Sequence, residues 1–162
     1  SSLSIFFNPI ISSYLTPKLS VYYQNKNFEK IKRERILIWK YLLIFILIFL
    51  SMYFVFGSYF IEVLWGREFS DTFKIAGILI IGKLIGNLSV GSGTLILISG
   101  KEALHFKITA FAFIFNLILN YILIKEMGVI GAAYATMTTY LLINLIKFYI
   151  GNLLLKMNNE NA

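Results

Sequence analysis

Residues 36–56 read ILIWKYLLIFILIFLSMYFVF and carry one charged side chain, Lys40, near the start. An α-helix of about 21 residues is about 31 Å long, which matches the hydrocarbon core of a bilayer. Three further apolar stretches follow, at residues 73–99, 104–124 and 129–155. We therefore expect four membrane-spanning helices within residues 36–155, arranged as an all-α polytopic bundle.

The composition also argues against an ordinary soluble domain. Of 162 residues, 58% are hydrophobic and 14% are charged, and the mean hydropathy is +0.76. A soluble domain needs a polar exterior, with roughly 25% charged residues. No cysteine is present, which excludes disulfides, thiolate zinc sites and thiol catalysis. The net charge of +7 lies mostly between apolar stretches, so it favours a role in topology and predicts no nucleic-acid partner.

The flanking segments complete the predicted organisation. Residues 1–24 are apolar but contain Pro9 and Pro17, so we expect the end of a membrane helix that kinks or leaves into an interfacial segment. Residues 25–35, NKNFEKIKRER, are predicted to be a basic cytoplasmic loop, and residues 156–162 a cytoplasmic tail. The chain starts with serine and has no signal peptide, so we expect it to begin inside a longer protein.

Connections that are rich in lysine and arginine alternate with connections that are poor in them. The basic connections precede residue 36 and follow residue 99. The connection between residues 56 and 73 and the one after residue 124 have few cations relative to carboxylates. Cytoplasmic loops of membrane proteins carry the excess of positive charge. The pattern therefore predicts that the basic connections and the C-terminus are cytoplasmic.

The sequence contains no pattern typical of a catalytic centre. The acidic residues lie in the predicted connections or the tail, and His105 is the single histidine. Metal-ligand spacing, an HExxH motif, a Walker A loop and a dinucleotide-binding glycine motif are all absent from the sequence. We expect no catalytic residue, no metal and no cofactor in this chain.

Lys83 is the one charged residue deep inside a predicted span. It lies about 12 Å from the nearer boundary, which is deeper than a lysine stem comfortably reaches. Gly86 and Asn87 share its helix face, so the face is polar and small. One interpretation is a lining residue of an aqueous cavity that meets a phosphate or a sugar acid. The alternative is a structural ion pair with another helix.

Two asparagines of the next span are one helical turn apart. Asn116 and Asn120 therefore share a face. With the predicted orientation, Asn116 lies near the middle of the membrane and Asn120 in the outer half, as do Lys83 and Asn87. Their amides can bind sugar hydroxyls, and we include all four residues in a predicted substrate pathway. The alternative for the two asparagines is hydrogen bonding between helices.

Small residues at intervals of four predict close helix contacts. Gly82 and Gly86 form one such pair, and Gly131 and Ala135 form a second. Small side chains at this spacing let the backbones of two membrane helices approach each other. We assign these four positions to helix packing.

Three motifs, in their order along the chain, resemble those of a known family. They are WGREF at residues 65–69, LILISGK at residues 95–101 and FNLILNYILIKEMGVIGAAYATMTTY at residues 115–140. Their order resembles the C-terminal half of polysaccharide flippases of the multidrug/oligosaccharidyl-lipid/polysaccharide exporter superfamily, the Wzx-type O-antigen and exopolysaccharide translocases. Asn116 and Asn120 match the asparagines of that pattern, and residues 131–136 match its GAA.AT element.

The resemblance implies a fold of two six-helix lobes around a central cavity, with this chain as the later part of the second lobe. It implies transport of an undecaprenyl-diphosphate-linked oligosaccharide, such as an O-antigen unit for lipopolysaccharide, across a bacterial inner membrane by alternating access. The implied partners are membrane lipid, the lipid-linked oligosaccharide and the N-terminal lobe of the parent protein.

Three other functions stay open on the sequence. A cation-coupled multidrug exporter of the same superfamily would be expected to hold a carboxylate within its spans. A membrane-embedded polysaccharide polymerase or glycosyltransferase would be expected to have large outer loops or charged interfacial residues. A structural subunit without transport activity would have a paired and dispensable Lys83.

Overall fold

The computed structural model describes residues 3–66, 70–89 and 91–160, and these residues form helices with no strand among them. A short 3-10 turn, Asn87–Ser89, lies between α3 and α4. The α-helices are α1 (Leu3–Gln24), α2 (Phe28–Trp65), α3 (Ser70–Gly86), α4 (Ser92–Ile98), α5 (Glu102–Met127) and α6 (Val129–Glu160). Helix α6 is the central element, because it packs against α3, α4 and α5.

The predicted all-α membrane bundle is confirmed. Within the described ranges, three helices are long and apolar enough to cross a membrane, over Phe28–Tyr59, Glu102–Met127 and Val129–Asn158. Large apolar side chains on these helices point outwards, among them Leu47 at 65% exposure and Tyr121 at 76%. Such surfaces are stable in lipid and costly in water. The chain is part of a multi-pass membrane protein.

The predicted basic loop at residues 25–35 is largely helical. A three-residue turn ends at Asn27, whose side-chain oxygen accepts a hydrogen bond from the backbone N–H of Lys30 at 3.2 Å and so caps α2. The reason is the spacing of Phe28, Ile31 and Arg35, which are all buried on one face while the intervening cations are exposed. The charged run is therefore the amphipathic start of α2.

Helix α1 continues past both Pro9 and Pro17, so of the two expected alternatives, a kink or an exit, the chain does not leave the helix at either proline. Its C-terminal half carries Leu15 and Leu19, which are buried in a cluster with Phe28, Ile31 and Leu95. Lys18 also pairs with Glu34 of α2, with 3.3 Å between Nζ and Oε1. Packing against α2 and α4 thus holds this part of α1 in place.

The predicted span at residues 73–99 is not one helix. Helix α3 ends at Gly86, and α4 starts after Gly91, whose φ of 71° is in the left-handed region that favours glycine. A side-chain β-carbon at Gly91 would also lie 3.0 Å from Leu15 Cδ2. The four predicted spans therefore correspond to three long helices and one interrupted helix.

Small residues lie at the points where α3 and α5 come close to α6. A β-carbon on Gly82 would lie 2.7 Å from Met137 Cγ, and one on Gly86 would overlap the Tyr140 ring. Gly131 lies against the backbone of Leu123 in α5, and Ala135 is fully buried. These contacts bring α3 and α5 close to α6, and so position the polar side chains described next.

Candidate functional site

The interruption between α3 and α4 is polar and is covered by α6. Asn87 Oδ1 accepts a hydrogen bond from the Tyr140 hydroxyl at 3.2 Å, and Ser89 Oγ donates to Asn144 Oδ1 at 2.5 Å. The Asn144 amide in turn donates to the Tyr140 carbonyl at 2.7 Å. Side chains of α6 therefore satisfy the polar groups of the interruption.

The position of the interruption along the bundle bears on its possible function. Helix α4 has seven residues, so the interruption lies about 10 Å from the basic end of the bundle, the end where α2 begins and α6 finishes. Non-helical backbone at membrane depth is tolerated only where protein covers it or where it lines a water-filled cavity. In membrane transporters, interrupted helices form substrate and ion sites.

Two of the four predicted pathway residues lie at this interruption. Asn87 is within it, and Lys83 lies one turn earlier in α3 and is partly buried. Tyr140 and Asn144 bond to Asn87 and Ser89. We call these four residues, together with Lys83 of α3, one turn before Asn87, the interruption site. Contact between these residues and a substrate stays a prediction.

The other two predicted residues belong to a separate cluster between α5 and α6. Asn116 Nδ2 donates a hydrogen bond to Thr139 Oγ1 at 3.2 Å, and Asn120 Nδ2 donates to Asn116 Oδ1 at 2.9 Å. Thr139 is buried and donates to the Ala135 carbonyl at 2.8 Å. This is the geometry of a hydrogen-bonded helix contact, the alternative considered for these asparagines.

One face of α6 is polar, which was not predicted from the sequence. Tyr140, Asn144, Phe148 and Asn152 recur every four residues, so they form one stripe along the helix. The first two contact the interruption, and the last contacts Arg35. The signal was present as amides and a hydroxyl at helical spacing within an apolar segment.

Arg35 was also missed as a structural residue. Its Nη1 donates to Asn152 Oδ1 and its Nη2 to Ser92 Oγ, both at 2.8 Å, so it joins α2 to α6 and α4. The guanidinium carbon lies 5.7 Å from the centre of the Phe148 ring. Arg35 is only 8% exposed and Ser92 is fully buried. A buried guanidinium is stable when it is hydrogen-bonded in this way.

Two further predictions concern the WGREF motif and metal binding. The WGREF motif extends over residues 67–69, which lie outside the described residues. No three metal-ligating side chains, among those that the structure describes, come together in a group that could hold a metal ion.

Comparison with known proteins finds a similarity to one relative that is named for capsular polysaccharide biosynthesis. It is 31% identical over 153 residues to the capsular polysaccharide biosynthesis protein CapF of Staphylococcus aureus. The alignment covers 90% of this chain and 36% of that protein, so the chain spans about a third of the relative's length. No family model matches the chain, and no solved structure matches it.

Proposed function

We propose that this chain is part of a transporter that moves a lipid-linked oligosaccharide, built on undecaprenyl diphosphate, across the bacterial cytoplasmic membrane by alternating access. The observation that carries the proposal is the interrupted helix, whose amide and hydroxyl side chains bond to those of α6. The similarity to a capsular polysaccharide biosynthesis protein supports a saccharide cargo. O-antigen and lipopolysaccharide remain one predicted class of product.

The interruption site has the chemistry that such a cargo needs. Sugar hydroxyls both donate and accept hydrogen bonds, as do the side chains of Asn87, Tyr140 and Asn144. Their mutual hydrogen bonds can be exchanged for bonds to a sugar at small net cost, because each contributes only about 0.5–1.5 kcal/mol. Lys83 would supply the positive charge for the diphosphate or an acidic sugar.

The rest of the cavity would come from the N-terminal lobe of the parent protein. The chain spans about a third of the length of CapF, so two thirds of a comparable protein would lie outside it. We expect transport without catalysis in this part of the protein, because Glu29, Glu102 and Glu126 lie near the ends of α2 and α5. Cytoplasmic orientation of the basic end is part of the same proposal.

A deletion experiment in the native host separates transport from the alternatives. The gene for the full-length protein is deleted and restored on a plasmid, and surface polysaccharide and lipid-linked repeat units in each leaflet are measured. The proposal predicts loss of surface polymer together with repeat units that accumulate in the inner leaflet.

Other outcomes of the same experiment would identify the other functions. Single repeat units that reach the outer leaflet without polymerising would contradict the proposal and indicate a polymerase. Normal surface polymer with new sensitivity to cationic dyes would indicate a multidrug exporter.

A further inference from the structure

A cleft of about 610 Å³ opens at the basic end of the bundle, between the first turns of α2 and the last turns of α6. It shares no lining residue with the interruption site. Its cationic residues are Lys32 and Arg35 of α2 and Lys156 of α6, and Glu29 is the one carboxylate in its lining. Three cations and one carboxylate give this lining a formal net charge of +2. The cleft therefore favours an anion.

The charged and aromatic residues of the cleft lie at different depths. Lys32 is near the start of α2, and Trp39 is seven residues further along the same helix, about 10 Å deeper. Phe148 of α6 lines the cleft from the opposite side. A charged mouth with an aromatic wall below it suits a molecule with an anionic head and an apolar tail.

The aromatic wall continues into the apolar outer surface of α2. Ile36 and Trp39 both line the cleft and are exposed on the apolar outer face of α2. A tail that leaves the cleft past these residues would stay in the bilayer. A water-soluble anion would fill the charged mouth and leave this apolar wall without a partner.

We propose that this cleft is a binding site for the phosphate headgroup of an anionic phospholipid in the leaflet at the basic end. Lys32 and Lys156 contact the phosphate at the mouth, and Arg35 lies at the floor, held by Ser92 and Asn152. Trp39 and Phe148 enclose the glycerol backbone and the first acyl carbons. Basic pockets between membrane helices recognise anionic lipid headgroups by this combination of charge and shape. The site does not depend on the transported cargo.

The test compares two double variants of the full-length protein by native mass spectrometry in micelles that contain phosphatidylglycerol or phosphatidylcholine. Lys32→Gln/Lys156→Gln removes two cations from the cleft. Lys30→Gln/Arg33→Gln removes two exposed cations at the same end that do not line it. Arg35 is left intact because its loss would also break the contacts among α2, α4 and α6.

The first double variant is expected to retain phosphatidylglycerol about tenfold or more weakly, since each basic residue near a headgroup strengthens binding by roughly fivefold. The control pair is expected to stay within about twofold of the unmodified protein, because its charges lie outside the cleft. Phosphatidylcholine retention should be low in all three proteins.

Three results would overturn the proposal. Equal losses in both double variants would indicate diffuse attraction to the membrane surface. Equal retention of phosphatidylcholine and phosphatidylglycerol by the unmodified protein would show that the cleft does not select anionic lipid. Displacement of phosphatidylglycerol by an equimolar polyprenyl diphosphate would assign the cleft to the proposed transport substrate.

Discussion

Arg35 illustrates how a single residue can be misjudged in a charged run. Together with the neighbouring lysines and arginines, Arg35 predicts which side of the membrane this segment faces. In the fold it is buried and holds Ser92 and Asn152 at 2.8 Å. Helical spacing with Phe28 and Ile31 was the only signal in the sequence, and its partners lie 57 and 117 residues away. Contacts over such separations are not visible in a local pattern.

The Arg35 contacts predict an effect of Ser92→Ala on stability. Removal of the hydroxyl leaves a buried guanidinium N–H without its acceptor, which costs about 1–3 kcal/mol of the free energy of unfolding. Thermal unfolding in detergent is expected to show a lower midpoint for this variant. Ser20→Ala is the control, since the Ser20 hydroxyl donates to the Thr16 carbonyl within the same helix, α1. Equal midpoints for the two variants would contradict the assigned role.

The hydroxyl of Tyr140 provides a test of the interruption site. Tyr140→Phe keeps the ring against Gly86 and removes the hydrogen bond to Asn87. We expect polysaccharide export to fall about threefold to tenfold, in line with one hydrogen bond of about 1 kcal/mol, with unchanged protein in the membrane. Tyr121→Phe, on an exposed face of α5, should export normally. Normal export by both variants would remove Tyr140 from the site.

Lys83 is predicted to supply charge to the cargo. Lys83→Gln and Lys83→Ala are both expected to lower export about tenfold or more, because hydrogen bonds to charged groups contribute about 1.5–3 kcal/mol. Lys125→Gln removes an exposed cation at the end of the bundle opposite the basic end, and it should have little effect on export. Wild-type export by both Lys83 variants would favour the structural alternative.

At the scale of elements, hydropathy predicted where apolar segments lie but not whether each is one helix. Residues 73–99 are as apolar as the other spans, yet α3 and α4 are separated by the interruption. Average hydropathy does not respond to backbone geometry. The interruption depends on Gly91 and on partners in α6, such as Tyr140 and Asn144, that are distant in sequence. The helical start of α2 was also not predicted, because its many cations obscured the helical spacing of its buried residues.

A matched pair of glycines tests the packing of the interruption. Gly91 and Gly100 have φ values of 71° and 70°, so alanine strains both backbones alike, by about 1–2 kcal/mol. Gly100 has no atom within 4 Å of a β-carbon, whereas Gly91 meets Leu15 at 3.0 Å. Gly91→Ala is therefore expected to lower the thermal midpoint more than Gly100→Ala. The same midpoint for both would show that contact with α1 is unimportant.

At the scale of the whole molecule, composition and apolar length were sufficient to predict the class of fold. An all-α membrane bundle follows from 58% hydrophobic residues and long apolar helices, because lipid removes the need for a polar exterior. The arrangement of α3, α4 and α5 around α6 was not predictable, since it depends on contacts between distant segments. The similarity to a capsular polysaccharide biosynthesis protein agrees with the family resemblance at a coarser level.

The central proposal, transport of a lipid-linked oligosaccharide, is tested most directly in liposomes that contain the full-length protein. A lipid-linked oligosaccharide is placed in the membrane, and its fraction accessible to an added, membrane-impermeant glycosidase is followed over time. We predict that the protein speeds the movement of protected molecules to the accessible leaflet, and that Lys83→Gln protein does so much more slowly. Movement no faster than in protein-free liposomes would contradict the proposal.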